Sequence, residues 1–403
     1  MIVLLLAQTI AITGGTVYPV SGPKLENATV LIRAGAIVAV GASVAVPEGA
    51  TRIDASGKWV TPGFFNAATQ LGLTEISAVQ ETNDGTLRGA DIAAHFNVAA
   101  ALNPSSQLIP VTRGGGVTTA LSVPDGRLIP GQAVVIDLAG RTPAEMLAGP
   151  RAAMVFNFQA KDAAGGSRAG VVARLRRVLN DAREYARRRD DYNRAQMREL
   201  EARAADLEAL QPVLAGTLPV VARAEHRADI EAALRLAADY RPLRLIIGGG
   251  AEAWTVADRL AAARVPVILA PLTNIPSYEQ LAARLTNAAQ LAAAGVRIAF
   301  TVSDDATHNA RNLRFEAGNA VSHGLDWDAA LRAVTLAPAE ILGLGARYGS
   351  LQAGRVANVV VWSGDPFELS TAVERVFIRG REVPLTSRQT ELRDRYMTLP
   401  PKY

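Results

Sequence analysis

Leu218 to Ala222 (LPVVA), Arg227 to Ala238 (RADIEAALRLAA), Leu243 to Ile247 (LRLII), Glu252 to Ala263 (EAWTVADRLAAA) and Val265 to Leu269 (VPVIL) follow one another with only short spacers. The short runs are apolar and of strand length. The two longer segments return an apolar residue every three or four positions, as an amphipathic helix does. Strand, helix, strand, helix, strand in that order means parallel βα units, because parallel partners need a helical crossover between them. Similar apolar runs stand further out at Val117 to Val123, Ala152 to Phe158 and Val296 to Val302. No glycine-rich phosphate loop follows an early strand, which disfavours a doubly wound nucleotide-binding sheet and leaves a closed barrel as the expected form.

The two ends of the chain read differently. Thr9 to Thr13, Ala28 to Arg33 and Ile37 to Val40 are short strands separated by turns such as Ala34-Gly35-Ala36; Ala357 to Trp362 and Ala372 to Ile378 repeat that style near the other end. Strand-rich ends around a helical middle predict one β unit built from both termini, with the barrel inserted within it.

With 49% hydrophobic and 20% charged residues over 403 positions, the chain has ample material for a core. The formal charge is +4, and only Lys24, Lys58, Lys161 and Lys402 share the positive side with arginine. A nucleic-acid binder concentrates such an excess on one face. The densest stretch, Arg174 to Glu208, interleaves its arginines with acidic residues and predicts a solvated helical face. There is no cysteine, so thiolate metal sites and disulfides are excluded. No apolar run reaches the roughly 20 residues of a membrane span. Met1 to Gln8 (MIVLLLAQ) reads either as the remnant of a signal peptide on an exported, periplasmic protein, or, on a cytoplasmic one, with Ile2 to Leu6 as a first strand.

Several segments carry a family resemblance. Thr61-Pro62-Gly63-Phe64-Phe65-Asn66 resembles the PGFID entry into the first barrel strand of amidohydrolases. Ala337-Pro338-Ala339-Glu340-Ile341-Leu342-Gly343 resembles their NPA-x-x-LG helix. Gly349 to Trp362 (GSLQAGRVANVVVW) is similar to the return into their β-sandwich. Gly115 to Ala120 (GGVTTA) and Phe300 to Asp304 (FTVSD) add a second strand and the strand that ends in the family's catalytic aspartate. All stand in the family's order, and the nearest variety is the imidazolonepropionase-like group, often exported. The resemblance implies an α/β fold: a (β/α)8 TIM barrel with a small β-sandwich domain built from both termini. The expected division is 9–60 with 346–385 for the β-sandwich, 61–345 for the barrel, 386–403 for a C-terminal tail and 1–8 for the signal remnant.

Hydrolysis of C–N bonds in this superfamily rests on one or two divalent metals that acidify a water and polarise the carbonyl. The implied ligands are an HxH pair on strand 1, histidines on strands 5 and 6, an aspartate on strand 8 and often a carboxylated lysine on strand 4. Here the corresponding places hold Ala68 and Gln70, Arg223, Gly249 and Asp304, with Lys161 as the only barrel lysine. Of the four histidines, His95, His226, His308 and His323, no two have HxH spacing. His95 and His323 read as structural, the latter as a partner for a helix C-terminus.

No metal is therefore expected at the family positions, which makes a non-catalytic pseudoenzyme or partner subunit the leading expectation. It would form a homo-oligomer, or a hetero-oligomer with an active amidohydrolase paralogue. The alternative is a hydrolase of amides or cyclic amides using Asp304 and His308 as acid–base residues, with one zinc ion or none and with His226 and Glu225 as further candidate ligands. A third reading is a barrel in which Gln70, Arg223 and Asn309 bind a small polar molecule. Arg223 is also expected to take a carboxylate, that of Asp304 being one candidate.

Overall fold

The computed structural model describes residues 8–149, 151–302 and 307–397. The proposed signal remnant, Asp304 and the end of the C-terminal tail fall wholly or mainly outside the described residues.

One sheet joins the two ends of the chain. β1 (Thr9–Val17), β2 (Leu25–Arg33), β3 (Ala36–Gly41), β4 (Thr51–Asp54) and β5 (Trp59–Pro62) come from the start; β14 (Val359–Trp362), β15 (Val373–Ile378) and β16 (Arg381–Val383) come from the end. Their order is β16-β15-β14-β5-β1-β2-β3. β1 divides its free edge between two parallel partners, β4 along Ile10 to Thr13 and β5 along Thr16 and Val17. β5 then pairs antiparallel with β14, Pro62 opposite Val359 and Trp59 opposite Trp362. An apolar cluster that includes Ile12, Val30, Ile32, Val60, Val359 and Phe377 lies at its centre.

The second sheet has eight strands in order β13-β12-β11-β10-β9-β8-β7-β6. They are β6 (Phe64–Thr69), β7 (Val117–Ser122), β8 (Gly131–Asp137), β9 (Ala153–Asn157), β10 (Val220–Ala224), β11 (Leu245–Gly249), β12 (Val267–Leu269) and β13 (Ile298–Phe300). Seven run parallel, as the βα reading predicts. β8 does not: it pairs antiparallel with both β7 and β9. It is buried at every position, as are all six residues of β7, so its apolar run carries no sign of direction. The sheet curls until its ends nearly meet. There the Thr301 hydroxyl, just past β13, bonds to the Asn66 side chain at 2.9 Å and to the Ala68 carbonyl.

Alternation along these strands separates two cores. Phe65, Leu121, Val135, Val155, Val221, Ile246, Ile268 and Ala299 fill one cluster inside the curl. The intervening residues, among them Phe64, Phe156, Ala222, Ile247 and Phe300, pack outward against the helices. This period-two division decides which side chains reach the mouth.

The segments that carry the family resemblance meet between the two sheets. A Cβ on Gly116 would fall 2.1 Å from Trp362, whose indole N–H donates to Thr61 at 2.9 Å. The fully buried Asp137 carboxylate accepts from Thr119 (3.0 Å), Asn358 (2.8 Å), Tyr348 (3.0 Å) and Arg379 (2.6 Å). Burial and the adjacent Asp137 charge push the Tyr348 phenol up to about 12, so it stays a donor.

The arginine-rich region is less solvated than its sequence suggests. The helix Arg168–Arg187 buries Val171, Leu175, Val178 and Leu179, and the chain folds back over it. Arg174 binds Asp91 and Glu201, Arg198 binds Asp181 and Glu184, and Arg189 binds Glu208. Most of these pairs cross between elements, where the sequence suggested neighbours along one helix.

Candidate functional site

The strands' C-terminal ends surround a cavity of about 230 Å³. Active sites of barrel folds sit at this end because the loops there can vary without disturbing the sheet. Its wall includes Ala68, Arg223, Glu225, Gly248 and Gly249, together with Thr273, Asn274, Gln280 and Thr301.

Arg223 continues the interior row from Val221, so the alternation of β10 brings it to the mouth. Its guanidinium pairs with Asp125, beyond the end of β7, and donates to the Pro124 carbonyl at 3.0 Å. Asp125, 98 residues away in sequence, is thus its carboxylate partner among the described residues. On β11 the interior row passes from Ile246 to Gly248, one residue before the expected position, with Gly249 beside it. Gly249 has φ +92°. A Cβ there would lie 1.8 Å from Glu225 Oε1. The other oxygen, Glu225 Oε2, accepts from the Ala251 N–H at 2.9 Å. A carboxylate from one strand end therefore fills the space beside its neighbour's glycine.

The other candidates take different places. His226 caps the helix Arg227–Asp239, its Nδ1 accepting from Ala228 N–H at 3.1 Å while Nε2 faces Glu252 at 3.8 Å. Gln70 accepts from the Thr74 hydroxyl at 3.2 Å and is not among the described cavity-lining residues. His308 is exposed in the short 3-10 helix Thr307–Asn312, and Asn309 accepts from Asn312 at 3.3 Å. Lys161 pairs with Glu279 at 3.2 Å. His95, read from the sequence as structural, stands in a turn with its Nδ1 2.7 Å from Asp206 Oδ1. His323 ends the helix Leu313–Ser322, its ring nitrogen 2.8 Å from the Asn319 carbonyl, as expected.

The sequence did not point to Asp125, Thr273, Asn274 or Gln280. The last three belong to the loop after β12, which holds its own shape: Asn274 donates to the Arg284 carbonyl at 2.7 Å and Gln280 to that of Ile275 at 3.1 Å. The loop is also tied from beneath, where Leu272 N–H donates to the buried Glu316 carboxyl at 2.7 Å. Burial pushes that carboxyl up to about 7.

A zinc-class ion needs three or four nitrogen, sulfur or carboxylate donors. Ala68, Gln70, Arg223 and Gly249 offer one amide oxygen between them, and the guanidinium would repel the ion. As the resemblance assigns them, those four places do not fit a metal pair. Among the described residues, no three His, Asp or Glu side chains are grouped to hold a metal ion. The mouth instead offers a small polar molecule one guanidinium, one carboxylate and the amides of the β12 loop.

The model of the amidohydrolase family matches residues 246–383. Amidohydrolase tasK of Hapsidospora irregularis is 28% identical over 365 residues, covering 83% of this chain; the chain spans 37% of that protein's length. The structure of an amidohydrolase from Thermotoga maritima MSB8 superposes with a TM-score of 0.85 at 28% identity, covering 93% of this chain and 99% of that one. An adenosine deaminase from Xanthomonas campestris with bound zinc shares the fold at a TM-score of 0.54 and 20% identity, over 93% of this chain and 92% of its own. Ordered sequence motifs, the two sheets and these likenesses agree in supporting the amidohydrolase superfamily for this chain.

Proposed function

We propose that this chain is a non-hydrolytic amidohydrolase of the imidazolonepropionase-like kind, whose barrel mouth binds a small polar ligand without a divalent metal. Its architecture reads as a TIM barrel with a composite β-sandwich, β8 being the strand that departs from the all-parallel pattern. The observation that carries the reading is the pairing of Glu225 with Gly249 beside the Arg223–Asp125 ion pair. Two ligand-bearing strand ends of the family are here given to a salt bridge and to a carboxylate laid over a glycine. A protein of this kind acts through binding, alone or as a subunit beside a catalytically complete relative, and export fits its place in the family.

The test is turnover of the full chain, with and without added zinc, on amide, lactam and cyclic imide substrates. The reading predicts no turnover above that of buffer in either condition. Zinc-dependent hydrolysis of any of them would overturn it.

One observation favours a second reading. His308 is exposed, with no hydrogen bond to its ring among the described residues, four positions after Asp304. On that reading it works with Asp304 as an acid–base pair. Hydrolysis abolished by both Asp304→Asn and His308→Ala would support it.

A further inference from the structure

At the opposite end of the barrel lies a larger cavity, about 480 Å³. Arg241, Arg244, Arg264 and Arg297 line it, each standing shortly before β11, β12 or β13. The lining contains one carboxylate, Glu340, and that group is already engaged: Arg332 donates to both its oxygens at 2.7 Å, with Arg297 3.7 Å away. The guanidinium groups of Arg241, Arg244 and Arg264 make no ion pair or hydrogen bond among the described residues. Elsewhere arginines such as Arg174, Arg198 and Arg379 are tied to buried or half-buried acids.

Two further features mark the place. The remaining wall is apolar, with Leu234, Leu243, Ile246, Val265 and Ile341. Arg264 also has φ +54°, in the turn that closes the helix Ala257–Ala262. Glycine is the usual residue for such a left-handed position, so a long cation stands where the backbone favours none. Clustered cations repel one another and draw anions into the concavity they line. Guanidinium groups match carboxylate and phosphate oxygens, and the volume falls in the range of small-molecule sites, about 300–1,000 Å³.

We propose that this cavity binds a small amphiphilic acid: a carboxylate or phosphate monoester on an apolar body, its charge held by the arginines and its body by the aliphatic wall. The site is separate from the mouth and does not depend on the function proposed for it. The experiment is isothermal titration of the full chain at low salt with octanoate and phenyl phosphate, using octanol and inorganic phosphate as controls. One equivalent of at least one of the two acids is expected to bind, and more tightly than either control. Arg244→Gln combined with Arg264→Gly should weaken binding about tenfold or more, a loss of ~1.4 kcal/mol. Glycine suits the backbone at 264, so that variant should fold, which circular dichroism would verify. The proposal is overturned if neither acid binds, if octanol matches octanoate, if inorganic phosphate matches phenyl phosphate, or if the double variant binds as the native chain does.

Discussion

The Glu225 carboxylate occupies the space that a side chain on Gly249 would need, its Oε1 only 1.8 Å from where a Cβ would stand. The pairing of Ala224 with Gly249 between β10 and β11 sets this contact, because the residue after Ala224 then lies against the end of the neighbouring strand. Gly249→Ala meets both the clash and the positive φ, and should lower stability by about 2–4 kcal/mol in urea denaturation. Adding Glu225→Ala should restore the steric share, about 1 kcal/mol or more. A neutral Gly249→Ala would show that the carboxylate does not sit there.

His226 is placed as a helix cap, which separates a structural role from a functional one. Replacing it with alanine should cost about 1 kcal/mol, because the Ala228 N–H loses its acceptor. His226→Ser should recover most of that, since serine is a strong cap residue. If ligand binding at the mouth is lost in both variants while serine restores stability, the histidine has a function beyond the cap.

Glu316 predicts a pH dependence. Burial raises its carboxyl from the ordinary 4.5 to about 7, with only the Leu272 N–H opposing. The unfolded chain gives up this proton near 4.5 and the folded chain near 7. Folding therefore binds a proton between those values, and this group's contribution to stability falls as pH rises through them and is level above. Glu316→Gln removes the fall. The variant should be more stable than the native chain by about 2–3 kcal/mol at pH 8 and nearly equal to it at pH 4. An equal difference at both values, in denaturation at each pH, would contradict this.

Arg379 joins the terminal sheet to the barrel through Asp137. Arg379→Met leaves the buried carboxylate with only neutral donors, from Thr119, Tyr348 and Asn358. A loss of about 2–3 kcal/mol is expected. Unfolding that splits into two transitions would identify the contact as the link that makes the two sheets unfold together; one shifted transition would mean that other contacts suffice.

The junction between the sheets was the most legible part of the sequence. Gly116, Trp362, Thr61 and Asn358 sit in recognisable segments because those segments touch: Gly116 meets Trp362, Trp362 donates to Thr61, and Asn358 donates to Thr119 and accepts from the Gly63 N–H. The barrel strands were visible as apolar runs, but β8 was not: seven buried residues in a row do not say whether the chain runs up or down. At the mouth, sequence located Arg223 and Gly249 but not what faces them. Asp125 reaches Arg223 across two strands that are not neighbours, and Glu225 reaches Gly249 through strand register; neither is written in local spacing. His226 shows the converse. It looked like a ligand because histidine is scarce here, while its position just before Arg227–Asp239 was the better signal, that of a cap. The arginines before β11, β12 and β13 were also in plain view, and only the curled sheet shows that they share one cavity.

The central claim is that the mouth works without the superfamily's metal. It is tested most directly by the ratio of metal to protein in the full chain, measured by plasma mass spectrometry after exposure to zinc and exhaustive dialysis. The account predicts well under one ion per chain, and the same value for Asp304→Ala. One or two zinc ions held tightly by the native chain and lost in Asp304→Ala would contradict it.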